Sequence, residues 1–352
     1  MAKRSKPIIF YDPDSVQNHD PKFGSLECGD RVNINLKLYD MYKIIGPKPK
    51  TVYMEFLDRI HQNNLIINSL SSDPFKPNFI QKIFKITPSS MANRNCHGCT
   101  TNTADKVCMF CNTKSDSKHF FLYAHMIDTN ILDSDTTYIT HTSYTAIKNA
   151  VSLVCQMVDA NTNGFAIVRP PGHHASSDKS EGFCLVNNIA IGATYALTKG
   201  FKKIFIFDFD AHHGNGTQNI FYNDSNVYYC SMHTQDAYPK SGRENELGKD
   251  TGYGYNLNII VPKGIDTDTY LDTYKSKVLP AIRSYDPDLI MVSAGFDGLA
   301  TDPMAIMKLT PQCYQEITKS LVKFNKPVLM VLEGGYNRSD IEKCIQLCMR
   351  EL

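Results

Sequence analysis

The stretch Asp208-Phe-Asp210-Ala-His212-His213 closes an apolar run that begins at Ile204. Residues two apart on an extended chain project to the same side, so Asp208, Asp210 and His212 share a side. Asp210 and His212 can then reach one ion, and Asp297, at the end of a separate apolar run over 289–293, can supply a third ligand. Two carboxylates and one imidazole leave a coordination position open, as in a catalytic rather than a structural zinc site. A single Asp-x-His, taken alone, is equally a pair of strand-end residues bonded to loop backbone.

The surroundings favour the metal. Arg169-Pro-Pro-Gly-His173-His174 follows the apolar run 165–168, His233 follows 227–232, and Glu333-Gly-Gly-Tyr336 follows 328–332. Charged groups are costly next to apolar strands unless paired or metal-bound, and ligands of parallel sheets bind outside the carboxyl ends of the strands. Pro-Pro-Gly makes a stiff turn, and two adjacent imidazoles beside a metal can move protons onto and off water and a leaving group. A pair of purely structural histidines is the plain alternative. Tyr336, after two glycines, has the backbone freedom to aim its hydroxyl into a cleft. With 19 tyrosines in the chain, an ordinary half-buried tyrosine is its plain alternative.

The elements that position these residues follow from the pattern. Short β-branched or aromatic runs at 165–168, 204–209, 227–232, 257–261, 289–293 and 328–332 are separated by helical spacing over 143–158, 186–197, 269–283 and 311–324. This predicts an α/β fold, a mostly parallel sheet flanked by helices. A strand at 8–11 and a helix at 32–42 begin the same domain, which is expected to occupy residues 1–352. Residues 86–120 are polar, lack an apolar period and read as an insertion. Composition agrees: 42% hydrophobic and 21% charged residues exclude disorder, collagen and coiled coil. Lys+Arg 37 against Asp+Glu 36 gives +1, which supplies no global attraction to nucleic acid or anionic membrane. No apolar run reaches membrane-spanning length, and the basic N-terminus has no apolar signal core, so an intracellular protein, cytoplasmic or nuclear, is expected. The pattern sets no oligomeric state.

Taken together, RPPGHHA (169–175), EGFCLVNN (181–188), DFDAHHGNGTQ (208–218), SMH (231–233), YP (238–239), SAGFDG (293–298) and EGGYN (333–337) resemble the zinc-dependent histone deacetylase and acetylpolyamine amidohydrolase superfamily, nearest its class II and bacterial-like branch. The resemblance covers roughly half the chain. It implies an arginase-like three-layer sandwich and a zinc-dependent deacetylase acting on an acyl-lysine side chain or a related acylated amine. Asp210, His212 and Asp297 would hold Zn²⁺. His174 would be the general base and later the acid for the leaving amine, with His173 acting electrostatically. Asp208 and Asn215 would orient the two histidines, and Asp208 with Ser231 would line a K⁺ site. Phe183 and Tyr238 would wall a tunnel, and Tyr336 would donate to the amide carbonyl and the oxyanion that follows. His19-Asp20-Pro21 and Arg31 resemble a stretch near the inner channel. Thr301 departs from the glycine that relatives often carry. Met304 occupies a position that is an acidic gate in the polyamine-selective branch, which favours acyl-lysine or a broader substrate. An acetylpolyamine amidohydrolase and a silent acyl-lysine-binding module remain alternatives, the second disfavoured because no zinc ligand, nor His174 or Tyr336, is lost. A binuclear ureohydrolase of the same fold would need further metal ligands.

The chain has 11 cysteines, an odd number, and Cys184, Cys230, Cys313, Cys344 and Cys348 sit in apolar runs as small buried hydrophobes. Cys96-x-x-Cys99 and Cys108-x-x-Cys111 differ: they form two knuckles suited to a structural zinc, with His97 and His119 as substitute ligands, or else four free thiols. A stretch with too few apolar residues to fold by burial would gain its stability from the metal. Purified protein is expected to carry about two zinc ions per chain, and replacing Cys96 and Cys99 by Ser should remove one while turnover persists. One zinc in the native protein, with all four thiols freely alkylated, would refute the structural site.

Overall fold

A computed structural model describes residues 6–17, 26–35, 39–61, 137–138, 142–304 and 306–352. The predicted runs form strands because their side chains alternate between two apolar faces. Ile204, Ile206, Leu289 and Met291 pack into one core, while Phe205, Phe207, Ile290 and Val292 pack into the other. A strand buried on both faces must be covered twice, and each fully buried large apolar side chain contributes about 1.5–3 kcal/mol.

The strands are β1 (Ile8–Tyr11), β2 (Lys43–Ile45), β3 (Gly164–Ile167), β4 (Ile204–Asp208), β5 (Val227–Thr234), β6 (Asn256–Val261), β7 (Leu289–Ala294) and β8 (Val328–Leu332). They form an eight-stranded sheet in the order β2-β1-β3-β8-β7-β4-β5-β6. Every pairing among them is parallel, with Asp208 of β4 level with both Ser231 of β5 and Ser293 of β7. The central strands β3, β8, β7 and β4 therefore present their carboxyl ends side by side.

Helices α1 (Thr51–Ile60), α2 (Ser143–Ala160) and α3 (Asn188–Thr198) cover the first core. On α2, Ile147, Ala150, Val151, Val154, Met157 and Val158 follow the three-and-four spacing of one buried face. Asn187 caps α3 through its side chain, which accepts from the Ala190 amide at 3.0 Å. A short helix, α4 (Asn215–Phe221), follows the histidine-rich segment after β4. The second core is closed by α5 (Thr267–Thr273), which runs through a π-turn (Tyr274–Val278) into α6 (Leu279–Tyr285), and by α7 (Pro311–Val322) and α8 (Arg338–Glu351). Pro280 has no amide proton to give, and the widened turn just before it carries a Leu279 amide bond to the Tyr274 carbonyl.

The helix expected over 32–42 is not seen among its described residues, 32–35 and 39–42. Residues Gly29–Val32 form a 3₁₀ turn, 33–35 are irregular, and Lys43–Ile45 is the edge strand β2. The carbonyls are engaged elsewhere: the Tyr11 hydroxyl donates to Val32 O at 2.8 Å and the Ile34 amide to the same atom at 2.9 Å. The apolar residues there are placed by packing against α8, where the Tyr39 hydroxyl meets Glu342 O at 3.2 Å. The Cys96–Cys111 knuckles and His19-Asp20-Pro21 lie outside the described residues. Among the described residues, no helix is long and apolar enough to cross a membrane.

The N-terminal segment is tied to the sheet by buried charge. Arg169, after β3, pairs with Glu27 at 2.7 Å and donates to the Tyr138 hydroxyl at 2.8 Å, and Glu27 also pairs with Arg31 at 3.1 Å. All three charged groups are buried. Removing one member of a buried ion cluster strands the rest without solvent. Arg169→Met is expected to lower stability by about 3 kcal/mol in urea unfolding. A change under about 0.5 kcal/mol, the size of an ordinary surface substitution, would show the cluster to be energetically idle.

Candidate active site

The strand β4 stops at Asp208, and the next residues bend rather than continue extended. Asp208 accepts the Asp210 amide at 3.2 Å, and Asp210 accepts the His212 amide at 2.9 Å. Side-chain-to-backbone bonds of this kind make compact turns. Asp210 and His212 thus meet through turns, not through strand alternation, and Asp208 is directed elsewhere. Its Oδ2 accepts from His173 Nδ1 at 3.1 Å and from the Tyr229 hydroxyl at 3.0 Å.

Asp210, His212 and Asp297 come together as expected, with one ligand atom from each lying within 4.8 Å of the others, all buried. His212 Nδ1 is 2.7 Å from Asp297 Oδ2 and 3.1 Å from Asp210 Oδ1. Backbone amides hold the outer oxygens: Ala211 N donates to Asp297 Oδ1 and Gly334 N to Asp210 Oδ2, each at 2.8 Å. A Cβ on Gly295 would stand 2.0 Å from Asp210 Oδ2, and one on Gly334 would stand 2.5 Å from it, so only glycine lets these carboxylates converge. Burial lowers the His212 imidazole, but Asp297 and Asp210 outweigh it and hold it well above the ordinary histidine range. Burial and the Asp210 charge both raise Asp297. Two carboxylates that each seek a positive partner at one imidazole fit a divalent cation of the zinc type.

The two tandem histidines, alike in sequence, have opposite surroundings. The Glu333 carboxylate fastens their turn, accepting from Gly172 N at 2.7 Å and His173 N at 3.1 Å. Burial pushes Glu333 up to about 7, with His173 opposing. His173 faces Asp208 on one ring nitrogen and Asp210 at 3.8 Å on the other. Burial lowers it, yet these carboxylates outweigh burial and push it up to about 10. His174 bonds the neutral Asn215 at 2.8 Å, and burial, then His173 and His212, hold it well below the ordinary range. Carboxylates thus favour a proton on one imidazole, while its neighbour, with ring centres 4.0 Å apart, is held toward the neutral form.

Of the expected aromatic residues, Tyr238 meets the pair directly, and Phe183 and Tyr336 meet each other. The Tyr238 ring stands edge-on to His174 at 4.9 Å, and the Phe183 ring lies 5.9 Å from Tyr336. Gly182, at φ +56°, lies between, where a Cβ would come 2.5 Å from His174 Cδ2. Tyr336 is set by Asp302, which accepts its amide at 2.7 Å, and by Arg31, whose guanidinium stands 5.0 Å from its ring centre. Arg31 also donates to the carbonyls of Gly335 and Glu333. Burial raises the Tyr336 phenol well above its ordinary value, with Arg31 opposing, so it keeps its proton as a donor.

Other expected residues sit further out. The Ser231 hydroxyl meets His233 Nδ1 at 2.8 Å rather than Asp208. His233 donates to Gly242 O at 2.9 Å, and His213 pairs with Ser241 and Gln218, so these two histidines fasten the loop that carries Tyr238 instead of joining the cluster. Met304 is 39% exposed, and its amide donates to the same Asp302 that holds Tyr336. Sequence reasoning assigned no role to Glu333, Asp302 or Glu181. Glu333 and Glu181 stand inside the motifs quoted above, but Gly172 and His173, the partners of Glu333, and Asn215, a partner of Glu181, are distant in the chain.

A parallel sheet flanked by helices, with a carboxylate–imidazole–carboxylate cluster at the ends of its central strands, is an α/β three-layer fold. The crystal structure of the HDA15 HD domain shares it, with a TM-score of 0.77 and 26% identity over 98% of this chain and 87% of that one. The histone deacetylase domain model matches residues 28–352, and the chain belongs to that family. Histone deacetylase 6 of Caenorhabditis elegans is 34% identical over 94% of this chain and 37% of its own length. Histone deacetylase 9 of Homo sapiens is 39% identical over 63% of this chain and 23% of its own. The chain therefore spans well under half the length of these relatives.

His212→Ala removes the only imidazole of the cluster. Bound metal at this site is expected to fall to near zero by elemental analysis, with the circular dichroism spectrum unchanged. Full occupancy in that variant would refute the ligand assignment.

Proposed function

We propose that this protein is a zinc-dependent deacetylase that hydrolyses the acetyl amide of an acyl-lysine side chain or a related acylated amine. The carrying observation is the tandem pair beside the Asp210–His212–Asp297 cluster: His173 faces the Asp208 carboxylate, His174 faces the Asn215 carboxamide, and the His174 ring lies 6.2 Å from that of His212. A zinc ion held by that cluster would supply Lewis acidity. His174 Nε2 takes the proton of the attacking water as its oxygen adds to the carbonyl carbon. The Tyr336 hydroxyl donates to the carbonyl oxygen as negative charge develops there, and the His173 cation stabilises the same charge. His174 then passes its proton to the nitrogen as the C–N bond breaks, releasing acetate and a free amine. Phe183 and Tyr238 are the aromatic walls for the alkyl chain. Asp208 and Ser231 are the proposed residues for K⁺.

Met304 supports acyl-lysine over an acylated polyamine, because a polycation would gain from a carboxylate at that place and a thioether gives none. The seven described cysteines are free, in keeping with a reducing, intracellular setting. Residues 1–352 are taken as one deacetylase domain, with 86–120 as an insertion that holds a structural zinc at Cys96, Cys99, Cys108 and Cys111.

A turnover panel of acetyl-lysine peptides, acetylputrescine and acetylspermidine tests the reading, with faster release from the peptides expected. Tyr336→Phe removes one hydroxyl, so kcat on the best substrate should fall ~10²–10³-fold while zinc stays bound. Near-native kcat would show that Tyr336 does not polarise the carbonyl, and no turnover of any acetylated amine by the native protein would overturn the activity itself.

A further inference from the structure

Glu181 is nearly buried and stands in a loop held on both sides of it. The Cys184 amide donates to Glu181 O at 2.9 Å, and the Ser180 hydroxyl donates to Leu185 O at 2.7 Å. Its carboxylate contacts no residue of the metal cluster. One oxygen accepts from Asn215 Nδ2, and the other pairs with Lys179 Nζ. Asn215 Oδ1 in turn meets His174 Nδ1 at 2.8 Å. Lys179, Glu181, Asn215 and His174 thus form a single file of hydrogen bonds.

The polarity of that file is not free. A carboxylate has no proton to donate, so the Asn215 amide must turn its NH₂ toward Glu181. Its carbonyl oxygen then faces His174, and an acceptor there requires the hydrogen on Nδ1. A neutral imidazole with hydrogen on Nδ1 has its lone pair on Nε2. His173 differs, since it bonds a carboxylate directly. An amide between His174 and Glu181 passes on the direction of the hydrogen bonds without placing a full charge against the ring.

We propose that Glu181, acting through Asn215, fixes the tautomer of His174 with its hydrogen on Nδ1, leaving Nε2 as the proton acceptor. Glu181 is a positioning residue. The inference rests on the reading of His174 as the general base, and it extends that reading to a carboxylate two hydrogen bonds away.

Glu181→Gln in the zinc-loaded protein tests it, because glutamine is isosteric and can reverse the file. Lys179 donates to the glutamine oxygen, which turns the glutamine NH₂ toward Asn215. Asn215 then presents its own NH₂ to His174 Nδ1, and the hydrogen moves to Nε2. The expected result is kcat lower by ~10²-fold, the lower end of what general-base catalysis contributes, with KM and zinc content unchanged. Glu181→Ala imposes no polarity and should lose less than Glu181→Gln. Adding Lys179→Met to Glu181→Gln should restore part of the loss. Spectra of ¹⁵N-histidine-labelled protein, with His174 assigned by its loss in His174→Gln, should show hydrogen on Nδ1 in the native protein and on Nε2 in Glu181→Gln. If His174 keeps its hydrogen on Nδ1 in Glu181→Gln, or if kcat there matches the native value, the proposal is overturned. Should Glu181→Gln not fold, the spectrum of Glu181→Ala decides: two tautomers are expected, and one Nδ1-protonated form would overturn it. The spectrum reads the tautomer whether or not an acetylated substrate is turned over, so failure of the proposed activity is seen separately.

Discussion

Four fully buried carboxylates, Asp208, Asp210, Asp297 and Glu333, crowd the ends of the central strands. Ionised groups out of water are tolerated only when each finds a compensating donor or cation, and most of the local architecture answers that demand. Backbone amides of Ala211 and Gly334 donate to Asp297 and Asp210, and those of Gly172 and His173 donate to one oxygen of Glu333. Glycines stand where any side chain would block the approach. One histidine lies between Asp208 and Asp210, and another points its ring nitrogen at Asp210 and Asp297. A divalent ion beside Asp210, His212 and Asp297 would complete the compensation.

Opposite behaviour from adjacent identical residues follows from this arrangement. Both tandem histidines are buried, and burial disfavours charge on each. The difference lies in what meets Nδ1, a carboxylate for one and a carboxamide for the other. A proton on His173 further discourages one on His174. Two imidazoles of opposite preference are thus produced from one dipeptide, without any difference in side-chain chemistry.

Much of this was legible in the chain. Alternating apolar runs gave away the parallel sheet, because strands buried on both faces leave no polar side to confuse the pattern. The convergence of Asp210, His212 and Asp297 was readable from residue type and position at strand ends, although Asx-type bonds, not strand alternation, bring Asp210 and His212 together. Residues 32–42 misled because Val32, Ile34 and Tyr39 are apolar for contact with α8, a neighbour some 300 residues away in sequence. Helix α8 itself carried the right spacing at Ile341, Cys344, Ile345, Cys348 and Met349, diluted by charged residues between them. Glu333 and Asp302 could be seen as acids but not as clamps, since their partners are backbone amides, which carry no mark in a sequence.

The position of β8 has a consequence for the order of events during synthesis. It is the last strand of the sheet in the chain, yet it lies between β3 and β7 in its middle. As the polypeptide emerges from the ribosome, N-terminal end first, β3 and β7 each wait with one edge unpaired until residues 328–332 arrive. Glu333 and Tyr336 follow directly behind, so the fastening of the tandem histidines and the placing of Tyr336 come with that closure. A nascent chain missing only this strand would hold Asp210, His212 and Asp297 without these two residues beside them, and it would carry two open strand edges to which another chain could pair.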